Sequence, residues 1–506
     1  MFRRLLTVTL ALAPAAAPLA AQIPQSEYQQ RRDALASRVG DAVVVALGAP
    51  EPAQDYLTFY QNSPFTYLTG FREPDAALIM VRQGGALTST LFVQPKDPAR
   101  EVWTGNRLGV AGVAAATGGG MRGRAAGDLR AVLDSLAGTG LPFAFVGDFN
   151  RLCQDPERDG GEDAPLTPDD QLVQSLKAAH PGLRVGCANG AVWQLRGKKS
   201  AAELALIRRA VDITVLAEKE AMRAVKPGRN EFEIQGLIEY TFRRYGADRP
   251  SFATIVGSGP NSTTLHYNAD DRFMNAGETV VMDIGASARG YAADVTRTVP
   301  VGGTFTPEQR AVYQLVRDTQ AAAERQAKLG APARLMEDSA QAVLKRGLAR
   351  LGLIESPDAV YDCAEDGQPT GTCPQFRLYY MHGIGHGIGL DVHDPDQFYF
   401  TGRIAPGSAF TIEPGVYVRG NTLEIIPDTP RNRAVIAKIR PAVQRYANVG
   451  VRIEDDYIAT EQGVEWISRA PRELAEVEAA MREPEACPAN RNAAMVEWYR
   501  TTTGNK

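Results

Sequence analysis

The feature that most limits how this chain can fold is an acid placed inside an apolar strand. Asp283 lies in the run Thr279-Val-Val-Met-Asp283-Ile284, which is typical of a buried strand, and a turn rich in glycine, alanine and serine leads to Asp294. We predict a hairpin that brings both carboxylates to one face. A buried acid is costly unless it is paired, and neighbouring carboxylates raise the pKa of one of them unless a cation lies between them. Metal binding explains both positions.

Histidines and glutamates extend this pair into a larger metal-binding set. The chain has only five histidines, and His382, His386 and His393 share one glycine-rich segment. Glu413 and Glu454 each follow an isoleucine in a strand-like run, so we expect both to point inward. The predicted ligands are Asp283, Asp294, His386, Glu413 and Glu454. Such an oxygen-rich set suits two divalent cations bridged by carboxylates and by a water or hydroxide, and favours Mn²⁺, Co²⁺ or Zn²⁺ over copper or iron–sulfur chemistry.

The histidine segment differs from two common motifs. Gly383 stands where an H-E-x-x-H zinc helix needs a glutamate, and the alternating glycines oppose a helix. These glycines also lack the strand–helix context of a dinucleotide fingerprint. A glycine-rich loop of this kind lets the backbone approach a ligand closely. A serine hydrolase is unsupported, because the nearest candidate, Gly285-Ala-Ser287-Ala-Arg289, lacks the final glycine of the motif.

The N-terminus predicts export. Arg3-Arg4, the apolar run 5–13 and the small residues ending at Ala21 are typical of a signal peptide over residues 1–21, whereas Pro14 and Pro18 oppose a buried helix. We therefore expect an exported protein, periplasmic or secreted, in an oxidising compartment.

The cysteines then allow disulfides. We predict a bridge between Cys363 and Cys373, two unpaired thiols being the alternative. A second bridge between Cys153 and Cys187 would leave Cys487 single.

The chain of 506 residues is long enough for two or three domains. Residues 22–195 predict an α/β domain with strands at 42–47, 77–81, 90–93 and 143–146, and solvated loops at 117–124 and 154–169. A second domain is predicted over residues 196–475, followed by a tail at 476–506. It opens with a capping box at Ser200 and Glu203, and it continues with helices at 231–245, 307–328 and 333–351 and strands at 279–284 and 292–299.

Charge and composition exclude several classes of partner. A net charge of −4 gives no general basic surface for nucleic acid or for an anionic membrane. A composition of 44% hydrophobic and 23% charged residues excludes a mainly disordered or fibrous chain.

The motifs, in this order, resemble those of the pita-bread metallopeptidases, specifically the Xaa-Pro aminopeptidases (aminopeptidase P) and prolidases. They are Asp-x10-Asp from Asp283, the segment 382–393, Glu413-Pro-Gly-Val-Tyr417 and Arg452-Ile-Glu-Asp-Asp. The stretch 60–75 is similar to the signature of the aminopeptidase P N-terminal domain. The resemblance implies an α/β creatinase-like N-terminal domain followed by an α+β pita-bread catalytic domain.

The resemblance also implies roles for individual residues. Asp283 and Asp294 would hold one metal ion, and Asp294 and Glu454 would bridge to a second ion that His386 and Glu413 complete, most commonly as Mn²⁺. A hydroxide between the metals would attack the peptide carbonyl, and Glu413 would accept the proton. His266 and His393 match residues that orient the substrate and stabilise the tetrahedral intermediate. His382 matches a histidine near the substrate pocket. Arg452 and Tyr417 match residues that support the metals and the substrate site from behind.

Trp103 resembles a tryptophan that reaches the active site of a neighbouring subunit, which implies a homo-oligomer, a dimer or a tetramer. A partly buried surface aromatic is the alternative. Residues 421–450 replace a short turn of compact relatives, either as a solvated excursion or as a lid or subunit contact that limits substrate length.

The implied function is hydrolysis of the N-terminal Xaa-Pro bond of proline-containing peptides by a dinuclear-metal exopeptidase, with a prolidase acting on Xaa-Pro dipeptides as the alternative. The N-terminal domain argues against a methionine aminopeptidase. The four carboxylates argue against a metal-free creatinase-like hydrolase. The export signal and the retained ligands argue against a non-catalytic module like those of histone chaperones.

Overall fold

The computed structural model describes residues 22–153, 165–365 and 368–485. The predicted signal peptide, Cys487 and residues 154–164 of a predicted loop lie outside the described residues. The described chain forms an α/β domain followed by a larger α+β domain, as the sequence predicts. Across these ranges, no helix combines the length and the apolar composition needed to cross a membrane.

The N-terminal domain is built on a six-stranded mixed sheet with the order β4-β3-β2-β1-β5-β6. Its strands are β1 (Ala42–Leu47), β2 (Ala77–Gln83), β3 (Ala86–Val93), β4 (Arg122–Ala125), β5 (Phe143–Val146) and β6 (Val185–Cys187). Strand β1 pairs antiparallel with β2 and parallel with β5. Every residue of β1 is buried, because a central strand covered on both faces tolerates only apolar side chains.

Helices cover both faces of this sheet. They are α1 (Gln25–Val39), α2 (Ser63–Thr69), α3 (Pro98–Thr104), α4 (Gly109–Ala116), α5 (Leu129–Ala137), α6 (Pro168–Ala179) and α7 (Asn189–Arg196). The prediction of a loop over residues 117–124 is wrong for its last three residues. Strand β4 begins at Arg122 and pairs with β3 as a parallel edge strand. Hydrogen bonds to β3 define this strand, which has no apolar pattern of its own.

The second domain surrounds a set of small antiparallel sheets with helices. Its helices are α8 (Ala201–Ala224), α9 (Glu231–Arg244), α10 (Pro307–Glu324), α11 (Arg334–Leu351), α12 (Phe398–Thr401), α13 (Pro430–Tyr446) and α14 (Leu474–Ala480). Its strands are β7 (Arg249–Pro250), β8 (Ile255–Ser258), β9 (Thr279–Ile284), β10 (Ala286–Ala288), β11 (Tyr291–Ala292), β12 (Val295–Pro300), β13 (Val360–Glu365), β14 (Gln368–Pro374), β15 (Ala409–Ile412), β16 (Gly415–Val418), β17 (Val449–Arg452), β18 (Asp455–Thr460) and β19 (Gly463–Trp466).

The predicted hairpin is present with one difference. Strands β9 and β12 pair antiparallel, with Asp283 opposite Thr296. The strand expected over 292–299 is divided, because β11 ends at Ala292 and β12 begins at Val295. Asp294 lies in this break, next to the strand that carries Asp283.

The two domains share a hydrophobic core. Helix α8 begins with the predicted capping box, in which the Ser200 hydroxyl and the Glu203 amide are 3.1 Å apart. Leu206 and Ala210 of this helix pack in one cluster with Val44 and Leu78 of the N-terminal sheet. Ile388 and Leu390 of the histidine-bearing loop belong to the same cluster, so this loop also rests against the first domain.

Both expected disulfides are formed. Cys363–Cys373 closes the β13–β14 hairpin, and Cys153–Cys187 joins the segment after β5 to edge strand β6. Both pairings agree with those considered from the sequence.

Residues 421–450 contain α13, a packed helix of the second domain. Val435, Ile439 and Val443 are buried in the core of that domain, and Lys438 forms an ion pair of 3.3 Å with Glu355. The prediction that residues 421–450 form a solvated surface excursion is therefore wrong. A lid or subunit contact stays a prediction.

The C-terminal boundary of the second domain also differs from the prediction. The tail predicted from residue 476 begins inside α14, whose Val477 and Ala480 pack into the same core. The second domain therefore extends at least to Ala480.

Candidate active site

The five predicted metal ligands come from the ends of neighbouring strands and from one loop. Asp283 lies on β9 and Asp294 directly precedes β12. Glu413 follows β15, and Glu454 lies between β17 and β18. His386 lies in a loop held against β15 by hydrogen bonds between its backbone and Thr411. Side chains far apart in sequence are thus brought to one point by strand pairing.

The distances between these groups fit a cation. Ligand atoms of Asp294, His386 and Glu454 all lie within 4.8 Å of one another. The Nε2 atom of His386 is 3.5 Å from Asp294 Oδ2, 3.5 Å from Glu413 Oε1 and 3.8 Å from Glu454 Oε1.

Oxygen atoms in the same place lack partners. Asp283 Oδ1, Asp294 Oδ1 and Glu454 Oε1 are buried and accept no hydrogen bond from any described residue. Buried carboxylate oxygens normally have partners, so these atoms fit the donor set of a divalent metal site.

Hydrogen bonding determines which nitrogen of His386 is available. Its Nδ1 lies 3.0 Å from the carbonyl oxygen of Gly387. A carbonyl only accepts, so Nδ1 carries the hydrogen and Nε2 presents its lone pair to the carboxylates. Burial, with His393 alongside, lowers the pKa of His386 to about 4 and keeps the ring neutral, as a metal ligand must be.

The carboxylates repel one another in the absence of a cation. Burial and the neighbouring Glu454 hold the pKa of Asp294 well above its usual range. Burial and the nearby Glu413 do the same for Glu454. Burial raises the pKa of Glu413 to about 8. Divalent cations would offset this repulsion and let the acids ionise, so the residues present fit metal ions.

Arg452, Tyr417 and His382 form a hydrogen-bonded chain behind the acids. The buried Arg452 guanidinium donates to Asp283 Oδ2 and, over 2.8 Å, to the Tyr417 hydroxyl. Tyr417 donates to His382 Nε2 over 2.9 Å, because His382 Nδ1 is committed to the carbonyl of Gly383. This chain keeps a neutral His382 and a charged Arg452 in place.

The remaining predicted residues lie at the edge of the candidate site or away from the site. The His393 ring lies 4.2 Å from the His386 ring, measured between centroids. His266 is exposed, and its neighbour Leu265 accepts from Arg452 through its carbonyl. Trp103 lies on α3 of the N-terminal domain with 75% of its surface exposed. The structure thus places the His393 ring beside His386, brings the backbone next to His266 against Arg452, and leaves Trp103 on the surface.

Sequence reasoning missed Thr296. Its hydroxyl donates to Glu454 Oε2 over 2.7 Å and accepts from Arg452 Nε over 3.1 Å. A detectable signal was present, because Thr296 is two residues beyond Asp294 and residues with that spacing share one face of an extended chain.

Asp456 and Arg297 were also missed. Asp456 Oδ2 accepts from the backbone amide of Asp294 over 3.1 Å. Arg297 is fully buried and donates to the backbone carbonyl of Glu454 over 2.6 Å. These residues hold the backbone of the ligands, and no motif in the sequence predicts their partners.

The glycine-rich loop differs from its prediction. A Cβ atom at Gly385 would overlap the carbonyl oxygen of Thr411, and one at Gly387 would overlap that of Asp394. Here the glycines permit close packing of the loop against protein backbone instead of close approach to a ligand.

Comparison with known proteins places this geometry in a family. The model "Metallopeptidase family M24" matches residues 205–461, and "Aminopeptidase P, N-terminal domain" matches residues 28–137. The Xaa-Pro aminopeptidase of Escherichia coli (strain K12) is 31% identical over 474 residues, covering 91% of this chain and 98% of the relative. That of Haemophilus influenzae is 30% identical with the same coverage.

Solved structures agree. Aminopeptidase PepP of Pseudomonas aeruginosa superposes with a TM-score of 0.73 at 29% identity, covering 91% of this chain and 98% of that one. Zinc-substituted E. coli aminopeptidase P in complex with product has a TM-score of 0.73 at 30% identity, with the same coverage.

Proposed function

Because the chain belongs to metallopeptidase family M24 and carries the aminopeptidase P N-terminal domain, we propose that it removes the N-terminal residue from peptides whose second residue is proline. The catalytic domain has the pita-bread fold of that family. The observation that carries the proposal is the cluster of Asp294, His386 and Glu454 ligand atoms, surrounded by the buried oxygens of neighbouring acids. The curated relatives quoted above are aminopeptidases, so an enzyme restricted to dipeptides is not favoured.

The site would hold two divalent cations, Mn²⁺ before Co²⁺ or Zn²⁺. Their ligands would be Asp283, Asp294, His386, Glu413 and Glu454. Bound there, the cations would supply Lewis-acid chemistry and a water of lowered pKa near neutral pH. The crowded acids and the bare Nε2 atom of His386 support this assignment.

The chain's own groups would then orient the peptide and move the proton. Glu413 accepts a proton from the attacking water and returns it to the leaving proline nitrogen. His393 and His266, at the rim, orient the scissile carbonyl and stabilise the charge that develops on its oxygen. Arg452 orients Asp283 through their buried contact.

The test uses mature protein stripped of metal and reloaded with Mn²⁺, Co²⁺ or Zn²⁺. We expect metal-dependent cleavage of Ala-Pro-Ala and loss of activity in Asp283→Asn. Cleavage of the dipeptide Ala-Pro alone would make the enzyme a prolidase. Two bound metals without cleavage of either peptide would contradict the proline specificity, and a protein that binds no metal would contradict the mechanism.

Export and assembly belong to the same proposal. The signal-like residues 1–21 support an exported, periplasmic or secreted enzyme, and N-terminal sequencing should find Gln22 as the first residue of the mature protein.

The adjacent side chains of Val102 and Trp103 are 81% and 75% exposed, which supports a subunit contact at α3. Light scattering should then show a dimer or tetramer for the wild type and smaller species for Trp103→Ala. A monomeric wild type would contradict this.

A further inference from the structure

A cavity of about 290 Å³ lies between the two domains. The N-terminal domain contributes Phe59, Tyr60 and Arg72 to its wall. The catalytic domain contributes Arg243, Arg249, Ser287 and Leu390, among others. None of these residues belongs to the catalytic set described above.

The cavity is within reach of a short peptide bound at the site. Three segments of its wall lead directly into the site, because Ser287 is four residues after Asp283, Gly290 is four before Asp294 and Leu390 is three before His393. Four residues span at most about 14 Å. A group carried within a few residues of the scissile bond could therefore enter the cavity.

The charge of the cavity is positive. Its charged lining residues are Arg72, Arg243, Arg249 and Asp248. Asp248 accepts from the Gly290 amide over 2.9 Å and lies 3.8 Å from Arg72, so it is engaged within the wall. The Arg249 guanidinium lies 4.0 Å from the centre of the Tyr60 ring, which orients it. The chain as a whole has a net charge of −4, so this excess of arginine is local.

A second observation points to an acceptor ligand. Ser287 is 1% exposed, and its hydroxyl has no hydrogen-bond partner among the described residues. A buried hydroxyl without a partner is costly unless a ligand completes it. A carboxylate would accept from Ser287 and pair with the arginines.

We propose that this cavity binds a carboxylate of the peptide substrate, so that the enzyme favours peptides with an acidic group close to the cleaved bond. The inference rests on the proposed function. Two sources share this chemistry, an acidic side chain at the Xaa position and the C-terminal carboxylate of a short peptide. Phe59, Tyr60 and Leu390 would pack against the methylene groups that carry the charge.

The test measures kcat/KM for Glu-Pro-Leu and Gln-Pro-Leu, each as the free acid and as the C-terminal amide. Wild type is compared with Arg249→Gln and with the exposed Arg243→Gln. Arg334→Gln, on α11 outside the cavity wall and with its side chain 76% exposed, serves as the control. Circular dichroism confirms folding of each variant.

In the wild type, we expect about a tenfold preference for the charged member of one pair, Glu over Gln or acid over amide. The pair that shows it identifies the source of the carboxylate. Either cavity variant should reduce the preference severalfold, and Arg334→Gln should not.

Two failures are distinguishable. A wild type that cleaves none of the four peptides contradicts the proposed function, and the inference with it. A wild type that cleaves all four at equal rates, or variants that keep the wild-type preference, overturn the carboxylate cavity alone.

Discussion

At the scale of single residues, Thr296 links two parts of the site that carry opposite charge. One hydroxyl group donates to the Glu454 carboxylate and accepts from the Arg452 guanidinium. Because Thr296 is buried, a water molecule cannot take over the hydrogen bonds that its hydroxyl makes to Glu454 and Arg452. Thr296 therefore sets the orientation of a predicted metal ligand.

Replacing Thr296 by valine should weaken the metal site. The shape of the side chain is kept, and the hydrogen bond to Glu454 is lost. We expect metal affinity or activity to fall about 10- to 100-fold. Titration of metal-free protein with Mn²⁺, together with kcat/KM, measures the effect. Thr296→Ser keeps the hydroxyl and should stay close to wild type, and a Thr296→Val protein with wild-type affinity would refute the orienting role.

Asp270 makes stability depend on pH. Its side chain is buried, with one oxygen 3.0 Å from the Val256 amide and the other without a partner in the described ranges. Burial raises the pKa of Asp270 from 3.8 to about 7. The folded state retains a proton that the unfolded state loses, so this residue makes the free energy of unfolding fall as the pH rises from about 4 to about 7.

Asp270→Asn removes that titration. Relative to wild type, the variant should gain stability between pH 4 and pH 8, by up to about 4 kcal/mol. Urea unfolding of both proteins at the two pH values gives the comparison. An equal difference at both values would mean that Asp270 does not titrate in this range.

At the scale of elements, the start of α8 is specified locally. Ser200 and Glu203 cap each other, and Glu203 also accepts from the Tyr291 hydroxyl over 3.0 Å. The cap therefore fixes both the first turn of the helix and its contact with β11.

Ser200→Ala should lower the free energy of unfolding by about 1 kcal/mol, because the Glu203 amide loses its acceptor. Ser200→Asp restores an acceptor and should recover most of the loss. Urea unfolding midpoints measure both variants. Equal midpoints for alanine and wild type would show that tertiary contacts alone hold the first turn.

Elements with a local signal were predictable, and elements defined by distant partners were not. Strands β1, β5 and β9 match their predicted ranges because each is a short apolar run. The helix α13 was missed although Val435, Ile439 and Val443 have helical spacing, because Pro441 predicts a break and the helix continues through it. Tertiary packing of the buried face overrides that cost.

At the scale of the whole molecule, a buried ionic cluster joins the link between the domains to the histidine loop. Asp394, next to His393, lies between Arg196 at the end of α7 and Lys199 before α8. All three side chains are nearly fully buried. The position of His393 therefore depends on contacts made by the other domain's last helix.

Asp394→Asn should reduce stability by about 3 kcal/mol, because it leaves buried cations poorly compensated. It should also lower kcat/KM, since the loop that carries His393 loses its anchor. Asp391→Asn is the matched control, because Asp391 pairs with the same arginine but is 47% exposed, so its loss should cost less than about 1 kcal/mol. Similar urea midpoints for the two variants would contradict this account.

The sequence predicted which acids and which histidine lie together in the candidate site, and it did not predict the residues that support them. Acids in apolar strands and a histidine beside glycines are unusual enough to be recognised as candidate site residues in a single sequence. Arg297, in contrast, is an ordinary residue of a strand until its carbonyl and carboxylate partners at residues 454 and 455 are known. Such contacts join positions more than 150 residues apart, and only the folded structure shows them.

The tight packing at Gly385 and Gly387 bears on how tolerance to substitution should be interpreted in this enzyme. Any side chain at either position would collide with a backbone carbonyl and displace the loop that carries His386. In a library containing every single substitution and selected for activity, both glycines would score as intolerant as the histidine between them. Sensitivity to substitution alone would then suggest that these two glycines take part in the chemistry. Their contribution is instead the absence of a side chain, which lets the loop pack closely against the neighbouring backbone.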